Sequence, residues 1–374
     1  MINISSLNLI YYNWWKNIDK TIFLLIIFLF SLGLFFSLVS TSLIASDKLD
    51  TNNYFFFFKH LAYVFIGIVT LVFFSSLSEK NLFRICIYLF FITLFFLFLV
   101  PIFGTEVKGS KRWLNFFFLP QFQPIELLKP FIIIFVATIL CSEKNYNIYI
   151  KYLLTILAII PIGLLLIMQP DIGQTLLVFL SWAILVFISG INLLFILLFI
   201  SFSFITLLYV IFFIPKFIYI KSRILSFFNP DGGTHNFQSD KAIEAISSGG
   251  FFGKGIGEGT LKTRVPEAHT DYIISVISEE FGVIVIILLL IVFLFFIYNV
   301  FKKIYLEKSE KVKLVLTGAI SLIIFQALIH LGVNIRLFPT TGMTLPFLSY
   351  GGSSIVGVSI LSGIILNLTK RKID

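Results

Sequence analysis

Residues 265–282 read VPEAHTDYIISVISEEFG and gather Glu267, His269, Asp271, Glu279 and Glu280 within about four turns of potential helix. Asp and Glu together number only 19 in 374 residues, so this grouping is a concentration. A long polar region precedes the stretch and an apolar run follows it, which places it at the mouth of a potential membrane segment. Ionisable groups at such depth are costly and are functional candidates by default. If Asp271 opens the next helix, the helix N-terminus stabilises its anion, while apolar surroundings push the other way. An ionised carboxylate within reach of a hydroxyl proton can act as a general base. The plainer alternative is a helix cap that pairs with His269 or Arg264. His269 reads as an orienting or interfacial residue, since the four His show no metal-ligand pattern.

Four other stretches could carry chemistry. In GTEVKGSKRWLN, residues 104–115, Lys108, Lys111 and Arg112 are donors beside Trp113. Such a set suits a pyrophosphate or an anionic lipid; an interfacial Trp with snorkelling cations is the bland reading. In FQPIELLKP, residues 122–130, Glu126 and Lys129 stand at i and i+3 on one helix face. If that helix begins near Gln123, both are buried and pairing is nearly compulsory. MQPDIGQTLLVF, residues 168–179, offers Asp171 as a helix N-cap. HLGVNIRLFPTTGMTLPFLSYGGSS, residues 330–354, carries Arg336, which is a phosphate contact or an interfacial cation, and Ser349. The Gly-rich segment 249–259 lacks the strand and the G-K-[ST] ending of a nucleotide loop. It reads as a flexible loop that shapes a groove.

The elements that position these groups are apolar. The chain is 58% hydrophobic and 13% charged, which identifies an all-α polytopic membrane protein. Apolar runs of spanning length fall at roughly 21–45, 60–78, 85–103, 123–141, 152–168, 173–189, 191–214, 281–301, 314–333 and 351–368. Pro161 and Pro170 interrupt the fifth and sixth. Residues 215–272 form a long loop, too polar and Gly-rich to lie in hydrocarbon, with a short amphipathic helix over 239–248. No separate soluble domain and no repeat are evident, so residues 1–374 read as one domain. Lys302, Lys303, Lys308, Lys311 and Lys313 crowd one short loop, and Lys370, Arg371 and Lys372 follow the last run. That places both termini in the cytoplasm and the long loop outside. The net charge of +9 suggests anionic headgroups and phosphates as partners, with no nucleic acid. Cys86 and Cys141 offer neither a disulfide framework nor metal-ligand spacing. The abundant Phe, Ile, Lys and Asn suit an AT-rich genome and carry no function by themselves.

In this order the motifs resemble the SEDS family (shape, elongation, division, sporulation) of bacterial cell-wall glycosyltransferases. Gly109, Arg112 and Trp113 match its G-x-x-R-W element, and Gln123, Pro124, Glu126 and Lys129 match its F-Q-P-S-E-x-x-K, with Ile125 in place of the Ser. Residues 169–173 resemble its Q-P-D-x-G turn. Residues 238–255 resemble its Gly-rich outer-loop pattern. Pro266, Glu267, His269, Thr270, Asp271 and Tyr272 match P-E-x-H-T-D-[FY], followed by Glu279, Glu280 and Gly282. Asn334, Pro339, Gly342, Pro346, Ser349, Tyr350, Gly351, Gly352 and Ser353 match its last signature, and Asn334 and Thr344 follow the division-type form more than the elongation-type.

The resemblance implies a polymerase of lipid II, an undecaprenyl-pyrophosphate-linked disaccharide-pentapeptide. It implies Asp271 as the catalytic residue and inverting transfer to the GlcNAc 4-hydroxyl. Substrate contacts are expected from Lys111, Arg112, Trp113, Gln123, Glu126, Lys129, His269, Glu280, Arg336 and Ser349. A divalent cation, Mg or Mn, could share the leaving pyrophosphate's charge, although no ligand set is legible; no organic cofactor is expected. The implied partners are a class B penicillin-binding protein and other division proteins, and the implied place is the inner membrane at the septum. An elongation-type polymerase, a lipid II flippase and a non-enzymatic scaffold are the alternatives.

Overall fold

The computed structural model describes residues 12, 14–41, 54–107, 110–116, 119–143, 147–228, 237–261, 265 and 267–370. Arg264, Pro266, Lys108 and Gly109, named above as candidate partners or motif positions, lie outside the described residues. The chain runs through α1 (Lys20–Thr41), α2 (Phe55–Ser76), α3 (Glu79–Phe103), a sheet of β1 (Thr105–Val107), β2 (Ser110–Phe116) and β3 (Leu119–Phe122), then α4 (Pro124–Leu140), α5 (Ile148–Met168), α6 (Ile172–Ile188) and α7 (Leu193–Phe213). A 3₁₀ turn leads into α8 (Ile218–Phe228), followed by α9 (Phe237–Gly249), α10 (Ile273–Leu306), α11 (Glu310–Asn334) and α12 (Gly352–Leu368).

Each apolar run expected from the sequence falls on a helix. Among the described residues, seven helices are long and apolar enough to cross a membrane. The other three, α4, α6 and α12, are 17 residues each, so length and composition do not by themselves give ten crossings. Pro161, expected to interrupt the fifth run, lies inside an unbroken α5. Neighbouring helices can re-satisfy the carbonyl that a proline frees, so the break does not follow. Pro170 does mark a boundary, in the turn between α5 and α6. The short helix expected at 239–248 is α9, packed against α10.

The described residues of the loop expected at 104–115 are mostly strand. They form most of a three-stranded antiparallel sheet in which Glu106 faces Lys111 and Val107 faces Ser110. Lys111 is exposed, whereas Leu114 is buried, which anchors β2 on the helices.

Two glycines shape the scaffold around the site. Gly282 has φ 79° and breaks α10 into a short buried piece and a long one. The broken backbone is taken up by the preceding loop: Val283 N donates to Gly250 O at 3.0 Å, and Lys254 N to Glu279 O at 2.9 Å. Backbone groups buried at such a break need a partner, and the loop supplies it. Gly357 on α12 lets that helix lie against α4, since a Cβ there would stand 2.3 Å from Glu126 O.

Candidate active site

A cavity of about 270 Å³ opens between the sheet, the start of α4, the turn before α10 and the segment joining α11 to α12. Arg112, Trp113, Gln123, Glu126, Arg223 and Asp271 are among its lining residues. Its wall on one side is a polar network that spans four elements. Arg112 donates from Nε to Gln169 O at 3.3 Å and from Nη2 to Pro170 O at 2.5 Å, and its Nη1 is 3.7 Å from Asp171 Oδ2. Gln123 Nε2 donates to the same Asp171 oxygen at 3.0 Å, and Gln123 N to Ser353 Oγ at 2.9 Å. Asp171 is also the N-cap of α6, accepting from Gln174 N at 3.4 Å, as the sequence suggested. Burial pushes its carboxyl above the usual carboxylate range, and the Arg112 guanidinium opposes that rise.

Below this wall lies the ion pair. Lys129 Nζ is 2.8 Å from Glu126 Oε2, with side-chain exposures of 2% and 6%. Glu126 Oε1 accepts from Gln174 Nε2 at 2.5 Å, and Lys129 donates to Gln326 Oε1 at 3.1 Å. Gln326 in turn donates to Thr344 O at 3.0 Å. Each charged group of the pair thus has the other and an amide side chain as partners, as burial requires.

On the facing wall, Asp271 lies two residues ahead of α10, which begins at Ile273. Its amide donates to Glu267 O at 3.1 Å, and its carbonyl accepts from Asn334 Nδ2 at 3.0 Å. A Cβ on Gly342 would stand 3.4 Å from Asp271 Oδ2, so the carboxylate faces that glycine. Tyr272 and Tyr350 also line the cavity. Burial pushes the Tyr350 phenol up to about 12. Tyr272 is raised as well, by burial first and then by the Asp271 charge beside it. Both phenols are therefore protonated donors near neutral pH.

A family model for cell cycle proteins of the FtsW, RodA and SpoVE type matches residues 19–373. The chain belongs to this family. Two relatives show how far the likeness runs. A probable peptidoglycan glycosyltransferase FtsW of Caulobacter vibrioides (strain NA1000 / CB15N) is 31% identical over 365 residues, covering 96% of this chain and 91% of the relative. Its counterpart in Buchnera aphidicola subsp. Schizaphis graminum is 34% identical over 337 residues, covering 85% and 92%. Among solved structures, a chain of a peptidoglycan synthase complex matches with a TM-score of 0.74 at 24% identity, covering 94% and 97% of the two chains. The rod shape determining protein RodA of Thermus thermophilus matches with a TM-score of 0.68 at 25% identity, covering 94% and 96%. These neighbours share the multi-helix membrane fold.

In this SEDS-family chain the cavity brings together Arg112, Trp113, Gln123, Glu126 and Asp271 from the expected set, with Lys129 directly behind Glu126. The others stand apart from it. Lys111 is exposed on β2. His269 packs its ring 5.0 Å from Phe56 and 5.7 Å from Tyr350, and its carbonyl accepts from Tyr350 N at 3.0 Å. Glu280 is buried in the short piece of α10, where its carbonyl accepts from Gly255 N. Arg336 pairs with Asp240 at 2.6 Å and ties α11 to α9. Ser349 Oγ accepts from Leu345 N at 2.8 Å and caps a turn. Sequence reasoning missed Arg223, which lines the cavity from α8 and donates to Thr340 O at 3.2 Å. It also missed Gln326 and His330, polar residues in an apolar run, whose only signal was their cost at that depth.

Proposed function

We propose that the protein polymerises lipid II into glycan strands for septal wall synthesis, as a peptidoglycan glycosyltransferase with Asp271 as its base. Family membership and the names of its relatives support the reaction class. The observation that carries the residue assignment is a single cavity lined by a carboxylate, Asp271, and by two guanidinium groups, Arg112 and Arg223.

Asp271 takes the proton from the acceptor's GlcNAc 4-hydroxyl. That oxygen attacks the anomeric carbon of the donor, whose bond to the diphosphate oxygen breaks. Undecaprenyl pyrophosphate leaves with the bonding pair, and the configuration inverts. The guanidinium groups bind the departing diphosphate, Arg112 held in place by the carbonyls of Gln169 and Pro170. The Glu126–Lys129 pair keeps α4 in register beneath them. Lys111, exposed beside Arg112, and Arg336, paired with Asp240, do not line the cavity and have no part in these steps. Among the described residues, no three His, Cys, Asp or Glu side chains converge as a ligand set. Mg or Mn would draw its ligands chiefly from the diphosphate and water, and the steps above use the protein's own groups.

The proposal includes a class B penicillin-binding protein and further division proteins as partners, and a septal location with both termini cytoplasmic. The experiment is glycan synthesis from purified lipid II by the protein with its transpeptidase partner. Asp271→Asn should lower the rate by about 10²–10⁴-fold with lipid II binding retained; Asp271→Glu should leave weak activity, because its carboxylate is displaced. Wild-type polymerisation by Asp271→Asn refutes the base. Lipid movement without glycan, in either form, would favour the transporter.

A further inference from the structure

The proposed base is gripped through its main chain by α11. Asn334 Nδ2 donates to Asp271 O at 3.0 Å and to His330 O at 2.9 Å. His330, one turn earlier and 1% exposed, reaches the other side of the site, where its Nδ1 lies 2.7 Å from Met343 O. A carbonyl oxygen can only accept, so Nδ1 carries the proton in this bond. Nε2 is buried as well and has no hydrogen-bond partner among the described residues. The ring therefore makes one directed polar contact, and that contact is with the segment facing the base.

The segment needs such a hold. Gly342 precedes Met343 with φ 72°, a conformation other residues rarely adopt, and a Cβ on it would stand 3.4 Å from Asp271 Oδ2. Thr340, Thr341, Gly342, Met343 and Thr344 all line the cavity, so any slide of this stretch changes the space in front of the carboxylate. Gln326 holds Thr344 O from the same helix, one turn before His330. Residues 326, 330 and 334 repeat at i, i+4 and i+8 and share one face of α11. That face grips Thr344, Met343 and Asp271 in turn.

We propose that His330 is a positioning residue for glycosyl transfer: its Nδ1–H on Met343 O sets the 340–344 segment at the distance from Asp271 that the reaction uses. It does not line the cavity and touches no reacting atom. Its effect comes through geometry, where a displacement of about 1 Å costs on the order of 10²-fold in rate. The inference rests on Asp271 as the base.

Three full-length variants test it, each purified with the transpeptidase partner and given lipid II. His330→Asn puts an amide nitrogen where Nδ1 stands. His330→Gln puts it near the place of Nε2, and His330→Leu removes the donor. His330→Asn should fold and keep kcat within about threefold of wild type, whereas the Gln and Leu variants lose about 10–100-fold in kcat at similar KM and similar thermal midpoint. The proposal is overturned if the Asn variant fails to fold or falls as far as Leu. It is also overturned if Gln works as well as Asn, or if the losses appear only in KM or in melting. Asp271→Asn measured in parallel tests the base by itself: activity there removes the base assignment, while the Asn–Gln split at 330 reports only on the hold at Met343.

Discussion

The Glu126–Lys129 pair makes the most quantitative demand on the structure. At 2.8 Å the two charges attract by about 6 kcal/mol with an effective dielectric constant near 20. Desolvation of both groups offsets much of this, so the pair adds little net stability over a well-packed apolar one. Breaking it is different. Lys129→Met leaves the Glu126 carboxylate buried with Gln174 as its remaining polar contact, and Glu126→Gln leaves the Lys129 ammonium with Gln326. Each single change should cost about 3–5 kcal/mol. The double change Glu126→Gln with Lys129→Met removes both charges and should recover much of the loss. Unfolding of the purified protein in one detergent, followed for wild type, both singles and the double, gives the coupling energy directly. A coupling below about 0.5 kcal/mol would refute the reasoning, because two independent buried charges would then simply add.

Two further expectations concern the scaffold. Gly282→Ala places a side chain at φ 79° and a Cβ 2.2 Å from Phe251 O, so it should lower thermal stability by at least about 1–3 kcal/mol and release the 250–255 loop to faster proteolysis. An unchanged melting curve and digestion pattern would mean the break in α10 is not held this way. In a background lacking Cys86 and Cys141, Ser247→Cys should react with an impermeant maleimide in intact spheroplasts and Lys308→Cys only after lysis; the reverse pattern inverts the proposed topology.

Much of the fold was legible because spanning runs are the strongest signal a sequence carries. Each apolar run that could be read directly falls on a helix, although α3 begins six residues and α10 eight residues before its run. The Glu126–Lys129 pair was legible for a local reason, since i and i+3 on a helix must meet. Asp171 was legible only as a cap. Its second role, holding Gln123 and facing Arg112, joins residues 48 and 59 positions away, and nothing in the local pattern encodes that. The sheet at β1–β3 was missed because its strands are short and broken by register shifts, so the alternation never runs long enough to stand out. Pro161 misled for the opposite reason: a strong local breaker was overruled by the packing of α5.

The same contrast explains where the chemistry sits. Many Ser and Thr side chains in the described apolar helices bond a carbonyl one turn back, but the polar groups beside the cavity meet partners far along the chain: Lys129 and Gln326 are separated by 197 positions, Gln123 and Ser353 by 230. Each bond fastens the start of α4 to α11 or α12, and the cavity lies where those fasteners converge. On α7, by contrast, only Ile196 and Ile211 are buried, and its remaining side chains have no such duty. A lipid-facing residue there needs only to be apolar. A residue such as Gln326 needs one shape, one donor and one acceptor, because in hydrocarbon an unmet polar group has no water to fall back on. Polar residues inside apolar runs are therefore the part of such a sequence most informative about its active site. Their partners become visible only once the helices are packed.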